Sequence, residues 1–424
     1  MAETTPAQQA KASASPGIPT TAGLSETSTL SQHFFNWLSR VRAGDTGALP
    51  VVAGILLLAI IFQTLNQNFL TPGNLVNLMV QGSVYMLFAL GIIFVLLLGE
   101  IDLSIGFIGG VAGVVTALMV FGTNPYPWWV GVPAGLLAAA AIGLFNGVII
   151  TSIGLPSFIV TLAGLLAWNG VMLLILGNGG TVPINNEVVN NLANGLLSPT
   201  VSWIVGAVIV VLIAFDMIRT ARRRKHATQP TSLLALKVLG VVVAGIAVVA
   251  LCNVNRGRIA PIQGVPWVLL IVFFFAELWT IVLKRTRLGT YIYAIGGNAE
   301  AARRAGISVN GVRIACFTLT GFMGGVAGLV YASRLRSVST NLDGGQLALY
   351  CIAAAVIGGT SLFGGRGKAI SALLGGLIIA SIDNGMGLLG ISAAARYVVT
   401  GVVLVVAVTI DALASRGRAS SGLG

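Results

Sequence analysis

Residues Lys284 to Arg313 read KRTRLGTYIYAIGGNAEAARRAGISVNGVR, the longest hydrophilic interruption in the second half of a chain that is otherwise nearly all apolar. A basic run suits the exit from a membrane, Gly296-Gly297-Asn298 is a turn signal, and Ala299 to Ala305 is a run of strong helix formers stopped by Gly306. The pattern predicts a short amphipathic helix in a cytoplasmic loop at 284–312. Glu300 is followed at i+3 and i+4 by Arg303 and Arg304, so its charges pair along one face while small alanines leave the other open to contact. Taken alone, the same charges also suit a solvated connector.

Composition sets the surroundings of this loop. Of 424 residues, 56% are hydrophobic and 8% charged, with a mean hydropathy of +0.94. Soluble domains carry ~25% charged residues, so the chain is expected to be an all-α polytopic membrane protein. Its 55 glycines are about twice the usual share, which in lipid points to close helix contacts and broken helices. The net charge of +12 comes from basic residues scattered between apolar runs, which argues against a nucleic-acid partner. Cys252, Cys316 and Cys351 stand singly without metal-ligand spacing.

Residues 1–30, rich in Ala, Ser, Thr and Pro, are expected to be a disordered polar tail without a signal-peptide core. Residues 31–47, with Phe34, Phe35, Trp37, Leu38, Arg40 and Arg42, suit an interfacial amphipathic segment. From 48 to 418 the chain reads as the transmembrane domain. Apolar runs lie at about 48–66, 75–99, 103–121, 128–152, 158–177, 199–218, 232–252, 262–283, 313–332, 347–364, 369–389 and 395–411, about twelve spans. With both termini cytoplasmic, 19 of the 24 Lys and Arg fall inside and five outside, as the positive-inside rule requires. The segments 100–102 and 365–368 are too short and glycine-flanked for ordinary loops, and ten full spans plus re-entrant pieces is the alternative count. The two bland spans of 199–252, joined by Arg222-Arg223-Arg224-Lys225, read as an extra lipid-facing hairpin whose basic run anchors anionic lipid.

Acids at membrane depth are candidate functional groups. Glu100 and Asp102 stand between glycines in LLLGEIDLSIGFIGG. There Asp102, beside Ser104, either caps the next helix or lines a polar cavity, and the two roles are compatible. Asp383-Asn384-Gly385 has the same character, and the likeness of GEIDLSIGFIGG to ASIDNGMGLLG is a faint sign of an internal repeat. Glu277 is expected to meet Lys284 or Arg285 by snorkelling. No acid has a paired base at a recognisable spacing. His33 and His226 lie in polar flanks with no nucleophile in reach, and Gly364-Gly365-Arg366-Gly367-Lys368-Ala369 lacks the spacing of a phosphate loop. Neither a catalytic constellation nor a metal or cofactor site is expected. Energy for active transport would come from a partner or an ion gradient.

Five stretches in order, GEIDLSIG (99–106), LPSFIVTLAGLLAWNGV (155–171), YAIGGNAEAARRAGI (293–307), VIGGTSLFGG (356–365) and ASIDNGM (380–386), together resemble the ribose/xylose-type sugar permeases of bacterial ABC importers. The resemblance implies a multi-pass subunit of the bacterial inner membrane. Its partners would be a second copy, two ATP-binding subunits and a periplasmic sugar-binding protein. It also implies that Gly296, Gly297, Asn298, Glu300, Ala301, Arg303 and Gly306 couple to the ATPase. The pathway would be lined by Glu100, Asp102, Ser104, Ser157, Phe158, Asn169, Asp383 and Asn384. The hairpin at 199–252 favours the xylose-like branch, hence D-xylose as cargo. Competing readings are an ion-coupled secondary carrier for a small polar solute and a membrane-bound transferase.

Overall fold

The computed structural model describes residues 49–177, 180–223 and 231–420. The tail at 1–30, the segment at 31–47 and residues 224–230 of the basic run lie outside these. Each of the twelve apolar runs is a helix, and three short helices lie between them: α1 (Leu49–Leu65), α2 (Pro72–Leu97), α3 (Ile105–Met119), α4 (Trp128–Ile153), α5 (Ser157–Leu176), α6 (Glu187–Asn194), α7 (Pro199–Arg223), α8 (Thr231–Asn253), α9 (Trp267–Arg285), α10 (Arg287–Gly297), α11 (Ala299–Arg304), α12 (Val309–Leu335), α13 (Gly344–Ile357), α14 (Ala369–Leu388) and α15 (Ala393–Ser420). The all-α expectation meets one exception among the described residues. Strands β1 (Thr181–Pro183) and β2 (Ser337–Ser339) pair antiparallel, with Val182 opposite Val338. Among the described residues eight helices, α2, α4, α5, α7, α8, α9, α12 and α14, are long and apolar enough to cross a membrane. Twelve full crossings are not supported: α3 and α13, of 15 and 14 residues, reach only ~22 Å against a hydrocarbon core of ~30 Å.

Small residues spaced by four let the central helices touch through their backbones, which is how helices associate where lipid removes the hydrophobic drive between them. Ala139 and Gly143 of α4 face Phe317 and Gly321 of α12. A Cβ on Gly143 would stand 2.3 Å from the Phe317 carbonyl oxygen, and one on Gly321 would stand 2.5 Å from that of Ala139. Helices α2, α12 and α14 form the buried centre, with Phe88, Phe94, Phe317 and Met323 inaccessible to solvent. The α7–α8 hairpin exposes most of its apolar side chains, including Val211, Phe215, Leu239 and Val243.

The chain turns back into the protein twice. After α2, Gly99 takes φ +77° and the Glu100 amide bonds the Val95 carbonyl at 3.0 Å. Glu100 pairs with Arg313 at 2.8 Å, near the start of α12. Ile105 lies against Gly324, eleven residues or ~16 Å farther along α12. Residues 100 to 105 therefore climb steeply before α3 begins. After α12, Arg336 adopts the left-handed conformation (φ 55°); β2 and residues 340–343 return the chain to Gly344, where α13 starts. The two short helices begin against each other, since a Cβ on Gly106 would stand 1.9 Å from the Gly344 carbonyl oxygen. A long helix, a return and a short helix thus occur twice in opposite directions, the arrangement of inverted repeats with broken helices. The repeat pairs 72–119 with 309–357, not 99–110 with 380–390, because 380–388 is the uninterrupted last part of α14.

Candidate functional site

Three turns converge at one end of the molecule. The Gly365 amide donates to the Leu97 carbonyl at 2.8 Å, the Ser361 amide to the Arg366 carbonyl at 2.9 Å, and the Tyr293 hydroxyl to the Gly367 carbonyl at 2.8 Å. Gly296 is wedged between the first two partners: a Cβ there would lie 1.8 Å from the Leu97 oxygen and 2.5 Å from the Gly365 nitrogen. Helix α10 was not legible as a helix in RLGTYIYAIGG. It forms because the Thr286 hydroxyl accepts from the Gly289 amide at 3.3 Å and because Ile292 and Ile295 bury one face. Gly296 and Gly297 belong to its last turn rather than to the break, which falls at Asn298. There the Asn298 side chain accepts from the Ala301 amide at 2.9 Å and caps α11.

Helix α11 follows the sequence reading. Ala302 is buried while Glu300, Ala301, Arg303 and Gly306 face outward. Glu300 pairs with Arg303 at 2.8 Å and Arg304 at 3.2 Å, all exposed. Arg285 meets Asp216 of α7 at 2.7 Å rather than the exposed Glu277. The result is a small knob, polar and uncrowded outside, keyed through Gly296 into both the end of α2 and the 361–367 turn.

The first return buries Asp102 completely. Its Oδ1 accepts from the Ser104 amide at 2.8 Å and hydroxyl at 2.6 Å, and Asn146 donates to the same hydroxyl at 3.0 Å. Its Oδ2 has no hydrogen-bond partner among the described residues. Ser157 accepts from the Ile101 amide at 3.3 Å, and the Thr161 hydroxyl donates to the Ile101 carbonyl at 3.1 Å. Asp102 therefore closes the turn that leads into α3, whose N-cap residue is Ser104, within a polar knot that also takes in Ser157. Phe158 stands apart, half-exposed on α5, and Asn169 lies about three turns farther along that helix.

At the second return a polar cavity of about 210 Å³ opens, lined by Asp343 at the N-cap of α13, Gln346 and Tyr350 of α13, and Tyr85, Tyr331 and Asp383. Asp383 accepts from Gln81 and, at 2.8 Å, from the Tyr85 hydroxyl, and it lies 3.5 Å from Arg396. Asn384 bonds Asn74 on the α2 side at 2.9 and 3.1 Å. Tyr397 donates to Asp343 at 3.0 Å and Gln346 to the Tyr350 hydroxyl at 2.6 Å. Tyr331 lies 22 residues or ~33 Å along α12 from Val309, so the cavity and the α10–α11 knob occupy opposite ends of that helix. The proposed pathway residues thus separate into Glu100, Asp102, Ser104 and Ser157 at one return, and Asp383 and Asn384 near the other. Sequence reasoning passed over the tyrosines, Gln346 and Arg334. Tyr331 and Arg334, at i and i+3 in an apolar helix, were the available signal.

A family model described as branched-chain amino acid transport system / permease component matches residues 74–408. The chain belongs to this family of permease components. The permease is a multi-pass protein of the inner membrane and a transport component rather than an enzyme. It is 33% identical over 405 residues to the xylose transport system permease protein of Escherichia coli (strain K12), covering 94% of this chain and 96% of the relative. The xylose permease protein of Haemophilus influenzae is 34% identical over 368 residues (86% and 95%). The ribose import permease protein of Escherichia coli (strain K12) is 33% identical over 362 residues (85% and 92%). The permease is thus a sugar ABC-importer permease of the xylose/ribose type. No solved structure gives a significant match.

Proposed function

We propose that the permease forms the membrane pathway for D-xylose. In this reading it pairs with a second copy, receives the sugar from a periplasmic binding protein and is driven by two cytoplasmic ATPase subunits docked on α10 and α11. Both termini are cytoplasmic, with ten crossings and the half-helices α3 and α13 between them. The observation that carries this reading is the knob itself. Helix α11 makes few contacts of its own, yet Gly296 locks its neighbour onto the ends of α2 and the 361–367 turn, so force applied to α11 reaches the helices around the first return. Against an ion-coupled carrier, Glu100 and Asp383 each have an arginine partner, which leaves neither as a free carboxyl.

The test is uptake in a strain lacking this chain, measured over a panel of pentoses and hexoses. Loss of D-xylose uptake, restored by the gene and with the least effect on unrelated hexoses, is expected. Unchanged pentose uptake together with a defect for another class of solute overturns the substrate assignment.

A further inference from the structure

The cavity at the second return has features that ATPase docking does not explain, and their interpretation rests on the reading of the chain as a sugar permease. We propose that it is a station within the permease for one neutral monosaccharide ring.

Size comes first. Pockets for drug-sized ligands measure about 300–1,000 Å³, and a cavity of about 210 Å³ suits a single five- or six-carbon sugar better than a nucleotide or peptide. Charge comes second. The carboxylates of Asp343 and Asp383 are balanced by the guanidiniums of Arg334 and Arg396, so the walls carry no net charge to trap an ion.

Hydrogen-bond chemistry comes third. A sugar hydroxyl both donates and accepts, and it needs walls that offer both. Carboxylates accept, arginines donate, and phenols and the Gln346 amide do both. The tyrosine rings add apolar faces for the C–H side of a sugar, with Tyr85 and Tyr350 set edge to face at 5.5 Å. Much of this wall is already braced: Thr400 and Gln346 both reach the Tyr350 hydroxyl, and Tyr397 holds Asp343. The Tyr331 hydroxyl and the Arg334 guanidinium, by contrast, have no hydrogen-bond or ion-pair partner among the described residues, although both line the cavity. A bound sugar would supply those partners. Tyr331 and Leu347 also wall a narrow crevice along Gly106, Gly109 and Gly110 of α3, which places the station at the mouth of a route past the two half-helix starts.

The test uses Tyr331→Phe, which removes a hydroxyl with no partner among the described residues and so is expected to leave the fold intact, and Gln346→Met, which keeps the side-chain length. Binding of D-xylose and D-ribose to the permease in nanodiscs is followed by saturation-transfer NMR. ATP-driven uptake and ATPase stimulation are measured in vesicles holding the whole transporter. Each variant is expected to weaken sugar binding and to slow uptake about tenfold, the scale of one lost hydrogen bond in a shielded site, with stimulation of the ATPase by the loaded binding protein retained. Normal sugar binding and uptake in both variants would overturn the station while leaving the importer reading intact. A wild-type complex that imports no monosaccharide would overturn the importer reading, and the station with it.

Discussion

Neighbouring glycines in one helical turn separate folding from docking. A Cβ on Gly296 would lie 1.8 Å from the Leu97 oxygen, 2.5 Å from the Gly365 nitrogen and 3.0 Å from the Gly365 Cα, all backbone atoms that no rotamer change can move. Overpacking of this kind costs about 1–3 kcal/mol, and parting the two strands of chain also strains the Gly365–Leu97 hydrogen bond, worth ~1 kcal/mol. Against this stands a gain of ~1 kcal/mol from replacing helical glycine by alanine. Gly296→Ala should therefore lose about 2 kcal/mol net. At Gly297 nothing lies within 4 Å of the added Cβ, so Gly297→Val should change stability by no more than ~0.5 kcal/mol. If this surface docks the ATPase, the same variant should weaken association at least ~10-fold, since truncating or blocking a central anchor costs more than ~1 kcal/mol. The assay is thermal unfolding of the solubilised permease alongside copurification of its ATPase. A Gly296→Ala variant as stable as the wild type, or a Gly297→Val variant that unfolds early or keeps its ATPase, refutes the division of roles.

Three further outcomes follow from the same structure. Glu100 and Arg313 are 12% and 30% exposed, so Glu100→Gln should destabilise by about 1–3 kcal/mol, and a double-mutant cycle with Arg313→Met should show coupling; additivity would mean that the pair holds nothing together. Glu300→Lys breaks only exposed pairs worth ~0–1 kcal/mol, so the permease should melt normally while ATP-coupled transport fails; normal coupling would remove α11 from the docking surface. The ends of the α7–α8 hairpin meet, with the Leu197 amide on the Val265 carbonyl at 3.0 Å and the Ser202 hydroxyl accepting from the Val265 amide at 3.0 Å. Joining Ser198 to Gly264 should therefore leave a chain that inserts and binds its ATPase, and loss of insertion would show that the hairpin is integral to the core.

Hydropathy located the long helices to within about five residues, apart from α15, which runs on to Ser420, nine residues past the apolar run at 395–411, because a span needs about twenty apolar positions and its ends are marked by Pro, Gly and charge. Depth was a different matter. Residues 103–121 and 347–364 had the length of spans by composition, but α13 stops at Ile357 before Gly358-Gly359, and α3 starts only after the chain has climbed from Glu100. Glycines at 99, 364 and 365 hinted at these breaks, and all three adopt positive φ. Partnership was invisible, since Glu100 and Arg313 are joined only by the antiparallel packing of α2 on α12. Asp383 finds Gln81, Tyr85 and Arg396 for the same reason. The knob at α11 was legible because its cap, charges and stop signal are local; the cavity was not, because its walls come from α2, α12, α13, α14 and α15.

In the proposed function this chain moves a sugar with energy taken from ATP through the α10–α11 knob. Sugar uptake into vesicles holding the permease, its ATPase and its binding protein tests it directly, measured with and without ATP and with and without a protonophore. Uptake that requires ATP and survives the protonophore is the expected result. Uptake that survives removal of ATP and collapses with the protonophore would make the protein an ion-coupled carrier.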